Sequence, residues 1–265
     1  MDNMAWNKVK KAREKDRPTA LDYIENIFDE FIEFHGDRDY AEDGAIVCGI
    51  ASLNNVNYTI IAEQKGRDTK ENIKRNFGMP TPESYKKSIR IMKQSEKFKR
   101  PLITFIDTKG AYPGIGAEER GQGQVIAKCI ETMSALKIPT ISYVIGEGSS
   151  GGALAIGVAD RVIMLENSIY SILSPEGYSS ILWKDPSRKE EAAEKMKLTA
   201  KDLYDLKVID EVLEEPNGNA KTDIIKMSES IKNSIFKNMK ELMNKKEKIL
   251  LEDRYKKYRN MGGEY

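Results

Sequence analysis

The sequence predicts an α/β fold built on a largely parallel sheet that is covered on both faces. Three observations predict it. The runs PLITFID (101–107), PTISYVI (139–145) and RVIML (161–165) are almost continuously apolar, as strands buried on both faces are. Segments of helical period separate them, which calls for right-handed crossovers between parallel strands. The first two strands each run into a glycine-rich turn that opens a helix, and 265 residues with 40% apolar content suffice for one large core with appendages.

The elements follow in order. Residues 1–18, MDNMAWNKVKKAREKDRP, are polar and basic and read as a mobile arm or a helix in need of a partner. Thr19 N-caps the next helix, with Asp22 three residues on. Ile24, Ile27, Phe28 and Phe31 recur at helical spacing until Gly36 ends it. Ala45 to Leu53 and Tyr58 to Glu63 read as a hairpin across Asn54-Asn55. A basic loop, QKGRDTKENIKRNFGMP (64–80), leads to a second helix. There Thr81 is the N-cap, Pro82 takes the first helical position, Glu83 opens the first turn, and Tyr85, Ile89 and Met92 face inward.

Beyond the strand at 101–107 come a glycine-rich turn and a helix from about Glu118 to Leu136. Beyond the strand at 139–145 come a second such turn and a short helix, ALAIGV. The strand at 161–165, polar helical stretches over about 175–206 and a strand VIDEVL (208–213) complete the domain, expected to span 19–219. Residues 220–258 predict one long Lys-rich amphipathic helix, with Ile224, Ile231, Ile235, Met239 and Leu242 along one side; with a tail it makes up 220–265.

Bulk chemistry excludes several classes. With 43 basic and 42 acidic side chains the net charge is +1, which argues against a nucleic-acid binder or a charge-driven membrane binder. Cys48 and Cys129 follow no metal or redox spacing, and His35 is the single histidine, so no zinc site of the usual Cys/His kind is expected. The start lacks the apolar core of a signal peptide and no apolar run is long enough for a bilayer, so the chain reads as cytoplasmic.

The stretch GEGSSGGALAIG (146–157) carries the most chemistry. Gly151 and Gly152 let a ligand approach their backbone N–H groups, and those groups fall in a helix's first turn, where they have no intrahelical partner. Such donors suit an oxyanion that develops during a reaction; a tight turn whose glycines only relieve crowding is the bland alternative. The same letters satisfy G-x-G-x-x-G, a dinucleotide signature, but only Glu166 loosely supplies the later acid. They also satisfy G-x-S-x-G, with Ser150 as a hydrolase nucleophile, yet His35 lies upstream of it. In DTKGAYPGIGAEERGQG (107–123), Gly110, Gly114 and Gly116 around Pro113 suit a folded loop at the carboxyl ends of the strands, where open α/β sheets bind ligands. Two such turns on neighbouring strands would build one pocket floor. Lys65, Arg67, Lys70, Lys74 and Arg75 form a basic loop that either grips phosphates or a partner's acids, or is simply solvated.

Taken together, FHGDR (34–38), QKGRDTKENIKRNFGMP (64–80), FIDTKGAYPGIGAEERGQG (105–123), GEGSSGGALAIG (146–157) and SPEGYSSILW (174–183), in this order, resemble the alpha subunits of acetyl-CoA carboxylase carboxyltransferase, from about residue 17 to about 217. The resemblance implies a ClpP/crotonase-like fold of repeated ββα units with a flanking C-terminal helix. It implies transfer of a carboxyl group from carboxybiotin, held on a biotin carboxyl carrier protein, to acetyl-CoA, giving malonyl-CoA for fatty acid synthesis. The implied partners are a beta subunit in an α2β2 assembly, the carrier protein and biotin carboxylase, with no metal on this chain and zinc on the beta subunit. By the same resemblance Gly151 and Gly152 match the glycine pair whose N–H groups form the oxyanion hole for biotin's ureido oxygen. Gly110, Tyr112, Pro113, Gly114, Gly148, Ser149 and Ser150 would line the carboxybiotin pocket. Two positions depart from the family pattern: Ser149 replaces a glycine, and Lys109 replaces the proline of D-T-P-G. Transfer to propionyl-CoA, a stand-alone acyl-CoA hydratase or isomerase using Glu118 or Glu147, and a non-catalytic binding subunit remain as rivals.

Overall fold

The computed structural model describes residues 4–262; the first three residues of the expected arm and the last three of the expected tail lie outside the described residues. Helix α1 (Met4–Ala12) lays Ala5, Val9 and Ala12 against Ile169, Ala193 and Leu198, so the partner that this polar segment needs is the body of its own chain. Helix α2 (Ala20–Ile27) starts where expected: the Asp22 carboxylate accepts the Thr19 amide and hydroxyl, each at 2.7 Å.

Helix α2 does not reach Gly36. Phe28 takes extended backbone, and Glu30–Phe34 form an edge strand, β1, paired antiparallel with residues 48–52. Phe31 packs on the core from that strand, so a helical spacing of apolar residues here served a strand whose backbone groups pair with the hairpin. The hairpin itself is as read: β2 (Ile46–Leu53) and β3 (Val56–Glu63) turn at Asn54 and Asn55, both left-handed.

A short helix, α3 (Thr69–Lys74), interrupts the basic loop before α4 (Pro82–Lys97), which Thr81 caps with Pro82 at its start. Strand β4 (Leu102–Thr108) leads to α5 (Ile115–Glu119) and α6 (Gln122–Ala135), split at Gly121, where a single helix was expected. Strand β5 (Thr140–Ser149) runs four residues past its expected end, into the short helix α7 (Ser150–Leu154). Then come β6 (Arg161–Leu165), the unforeseen β7 (Ile169–Ser171), helices α8 (Pro175–Trp183), α9 (Lys189–Lys195) and α10 (Ala200–Asp205), and β8 (Glu211–Leu213).

The strands lie in the order β1-β2-β3-β4-β5-β6-β8, with β7 on the end of β5, and every pairing from β3 onward is parallel. Alternate residues feed two cores. Ile60, Phe105, Tyr143 and Ile163 face α2 and the C-terminal helix; Ile61, Ile106, Val144 and Met164 face α4 and α6. Burial on both faces is what the continuous apolar runs encoded.

The expected long C-terminal helix is two: α11 (Ile224–Met243), which buries Ile231, Ile235, Met239 and Leu242, and α12 (Glu247–Asn260). The break lets Arg254 reach back, where its buried guanidinium meets the Asp160 carboxylate at 2.8 Å and the Leu136 carbonyl at 2.7 Å. Among the described residues no helix is long and apolar enough to cross a membrane.

Candidate active site

The extension of β5 builds the site. At Glu147–Ser149 the strand gains β7 as a partner, while Gly148 stands beside Thr108 of β4 and Tyr170 of β7. Ser149 is the buried N-cap of α7, and its φ of −120° is ordinary extended backbone, so a side chain there in place of a glycine meets no strain. Ser150 turns left-handed at φ 57° and is exposed. For a non-glycine residue that conformation costs roughly 1–2 kcal/mol.

Gly151 and Gly152 follow in the first turn of α7. Among the described residues nothing accepts a hydrogen bond from either amide. Gly152 packs directly on the first glycine-rich turn: a Cβ there would stand 2.6 Å from the Ala111 nitrogen and 2.8 Å from the Gly110 carbonyl carbon. The two turns therefore meet backbone to backbone, as their positions on neighbouring strands led one to expect.

The first turn is itself tied down. The Gly110 amide donates to the Thr108 hydroxyl at 3.0 Å, and that hydroxyl lies 2.6 Å from the Gly78 carbonyl. The Tyr112 amide donates to the Pro80 carbonyl at 3.0 Å, and the Gly114 carbonyl accepts the amides of Ala117 and Glu118 to start α5. Tyr112, Pro113 and Lys109 are exposed, and Lys109 has no partner among the described residues. The tie to residues 78–80 had no signal in the sequence; its local marker is backbone strain, with Asn76 and Phe77 both left-handed.

A charged layer beneath the turns also escaped sequence reading. Glu63 is fully buried and accepts the Asp107 amide at 3.1 Å. Burial, reinforced by the Asp107 charge, holds its carboxyl well above the usual carboxylate range. The Asp107 carboxylate accepts the Glu147 amide at 2.9 Å and pairs with Lys65. Arg13 grips Glu147 with two nitrogens and reaches Glu176, while Arg17 grips Glu215 and donates to the Ile145 carbonyl at 2.7 Å. These partners lie as far apart as 134 and 198 residues, so no spacing rule could have joined them. Of these, Arg13, Arg17, Lys65, Asp107, Glu147 and Glu176 line a cleft of about 710 Å³. Neither Gly151 nor Gly152 belongs to its wall; the cleft lies beside the amides, not over them.

Of the basic loop, Lys65 is paired with Asp107, Arg67 with Asp22 at 2.6 Å, and Arg75 with Glu71 and the Gly44 carbonyl, each at 2.8 Å. Lys70 is exposed and keeps its charge free of partners among the described residues.

A Ser–His device and Glu147 as a free base both lack their parts. His35 faces Glu33 and Glu42, and the Ser150 hydroxyl has no partner among the described residues, so no Ser–His device forms. Glu147 is bound at both oxygens by Arg13, which removes it as a free base. Burial pushes the Cys48 thiol up to about 11 and raises that of Cys129 as well, which leaves both as inert core residues.

Comparison with known proteins gives a consistent picture. A family model described as acetyl co-enzyme A carboxylase carboxyltransferase-like matches residues 2–262. An acetyl-coenzyme A carboxylase carboxyl transferase subunit alpha from Clostridium perfringens is 60% identical over 257 residues, 97% of this chain and 95% of that one. A protein of Natranaerobius thermophilus named as subunits beta/alpha is 59% identical over 257 residues, covering 97% of this chain and 42% of its own length. Among solved structures, a transcarboxylase 12S chain superposes with a TM-score of 0.72 at 18% identity over 90% of this chain, which spans 44% of that one. A chain of a Pseudomonas malonate decarboxylase hetero-tetramer gives 0.65 at 16% identity, covering 80% of this chain and 84% of its own.

Proposed function

Because this chain belongs to the family of acetyl-CoA carboxylase carboxyltransferase alpha subunits, we propose that the amides of Gly151 and Gly152 are the part of the active site that it contributes. The family's reaction is biotin-dependent carboxyl transfer with a beta subunit, giving malonyl-CoA from acetyl-CoA, and the fold is the ClpP/crotonase-like one. The observation that carries the proposal is the pair of successive amides, at a strand-to-helix junction, that no group among the described residues satisfies.

The biotin-linked donor supplies the carboxyl group when bound. The Gly151 and Gly152 amides would take up the negative charge that develops on its ureido oxygen, an effect of about 3 kcal/mol per donor where such donors have been removed elsewhere. Their angle is set by β5 on one side and by the Gly110–Ala111 backbone on the other, so they need no reorganisation as charge appears. Gly148, Ser149 and Ser150 would wall the pocket from the second turn, and Gly110, Tyr112, Pro113 and Gly114 from the first.

Neither glycine lines the charged cleft, and apolar side chains are exposed close by in sequence. Ile115 and Leu154 are exposed on α5 and α7, the helices that the two turns open, which supports a site roofed by the beta subunit. We infer that the donor arrives on a biotin carboxyl carrier protein charged by a biotin carboxylase, that zinc belongs to the beta subunit, and that the assembly works in the cytoplasm. Lys70 and Lys74 are the exposed basic-loop residues left, among the described residues, to meet a phosphate or a partner's acid.

The test is carboxyl transfer in reverse, from malonyl-CoA to a biotin analogue, by this chain assembled with its beta subunit. Gly152→Ala drives a methyl into the Gly110–Ala111 backbone and should lower turnover by about a hundredfold. A Cβ at Gly151 meets only the Ile126 side chain at 3.4 Å, so Gly151→Ala should stay within about threefold of the parent. Full turnover by an assembled Gly152→Ala complex would refute the assignment.

A further inference from the structure

We propose that Arg13, just beyond α1, is a positioning residue for the glycine turn and acts through Glu147. The inference rests on the reading of Gly151 and Gly152 given above, and extends it to a segment that no glycine motif reaches.

Glu147 is 2% exposed and stands four residues before Gly151. One guanidinium holds both of its oxygens: Arg13 Nη2 lies 2.7 Å from Oε1 and Arg13 Nε 3.1 Å from Oε2. Among the described residues the Glu147 carboxylate has no other partner. The remaining Arg13 nitrogen, Nη1, reaches Glu176 in the first turn of α8 at 2.9 Å. The backbone is held from the opposite side, where the Glu147 amide donates to Asp107 Oδ1 at 2.9 Å. Gly146 permits that bond, since a Cβ there would collide with the Asp107 carboxylate. Residue 147 is thus clamped by its side chain from the N-terminal segment and by its amide from β4.

A bidentate pair fixes direction as well as distance, which a point charge does not. Without Arg13 a nearly buried carboxylate is left uncompensated, and it must gain water, a proton or a new position. Any of these moves the strand end that aims the two amides, and a displacement of about 1 Å costs about a hundredfold in a positioned reaction. A brace that acts through the turn and not on the substrate places its effect in kcat.

The experiment compares Arg13→Met, Arg13→Lys, Glu147→Gln and the double variant Arg13→Met/Glu147→Gln in the assembled complex, with Gly152→Ala alongside. Arg13→Met should lower kcat by between about tenfold and about a hundredfold, with KM for malonyl-CoA within about twofold. Arg13→Lys keeps charge without the fork and should recover about a third or less of the lost turnover. The double variant should lose no more than Arg13→Met, because both changes break one contact. An unchanged kcat, a rise in KM alone, or losses that multiply in the double variant would each overturn the proposal. If Arg13→Met fails to assemble, the kcat of Arg13→Lys and Glu147→Gln decides in the same way. If Gly152→Ala abolishes turnover while the Arg13 variants are silent, the brace falls and the glycine assignment stands; if Gly152→Ala is fully active, both fall.

Discussion

Two polar regions lie side by side at the carboxyl ends of β3, β4 and β5, and they follow opposite rules. In the charged cleft the buried and half-buried cations have anions: Arg13 has Glu147 and Glu176, Arg17 has Glu215, and Lys65 has Asp107. In the second glycine turn next to it, the amides of Gly151 and Gly152 are left without acceptors among the described residues. First-turn amides of a helix have no intrahelical partner and are satisfied by side chains, water or a ligand, so these two are open to a group from outside the chain. The satisfied region holds the unsatisfied one in place. Most of the cleft's charges are spent on one another, with Lys15 and Lys109 exposed at its wall and without partners among the described residues.

The comparison breaks first at Arg17. Its side chain is 2% exposed and that of Glu215 fully buried, with Nη2 to Oε1 at 2.6 Å. Arg17→Met should leave Glu215 uncompensated and cost about 3–5 kcal/mol, read as a fall in the denaturant midpoint. If stability hardly changes, the cleft charges are ornamental, and the division between holding and acting loses its basis.

Glu63 sharpens the comparison through pH. Its folded carboxyl is raised well above the ordinary 4.5, by burial first and by Asp107 second. An acid raised in the fold stays protonated there while the unfolded chain has already ionised. Stability is therefore full below the ordinary value and declines as pH climbs from it toward the raised one, by up to about 1.4 kcal/mol for each unit of separation. Glu63→Gln removes that ionisation. It should be close to neutral near about pH 4 and stabilising near about pH 7, by roughly 1 kcal/mol or more, so the pH slope of the unfolding free energy flattens. A variant that is equally destabilised at both pH values would mean that Glu63 is ionised in the fold.

How legible all this was depends on the range of the interaction. Burial of β4, β5 and β6 on both faces is written in their own apolar runs, and the capping of α2 in Thr19 and Asp22, three positions apart. The meeting of the two glycine turns was legible because parallel neighbours put their turns at one end of the sheet. Strand β1 was not: its apolar residues fit a helical spacing, and pairing with β2 decided the matter. Nor was the end of β5, because its last residues are held by β7, a three-residue strand with no sequence signature of its own. The clamp of Arg13 on Glu147 joins residues that only the finished fold brings together.

The smallest effect concerns the basic loop, where the same contrast recurs within a few residues. Arg75 is committed, to Glu71 and to the Gly44 carbonyl, whereas Lys70 is exposed and without a partner among the described residues. A cation already bonded contributes to the fold; one left free can contribute to a ligand. Arg75→Gln should therefore cost about 1 kcal/mol of stability and leave KM alone. Lys70→Gln should leave stability alone and raise KM for malonyl-CoA by about twofold, an effect that fades as salt screens the exposed charge. If KM responds to Arg75 and not to Lys70, then the paired residues of this loop release their partners to meet the substrate, and satisfaction within the isolated chain is no guide to which charges act.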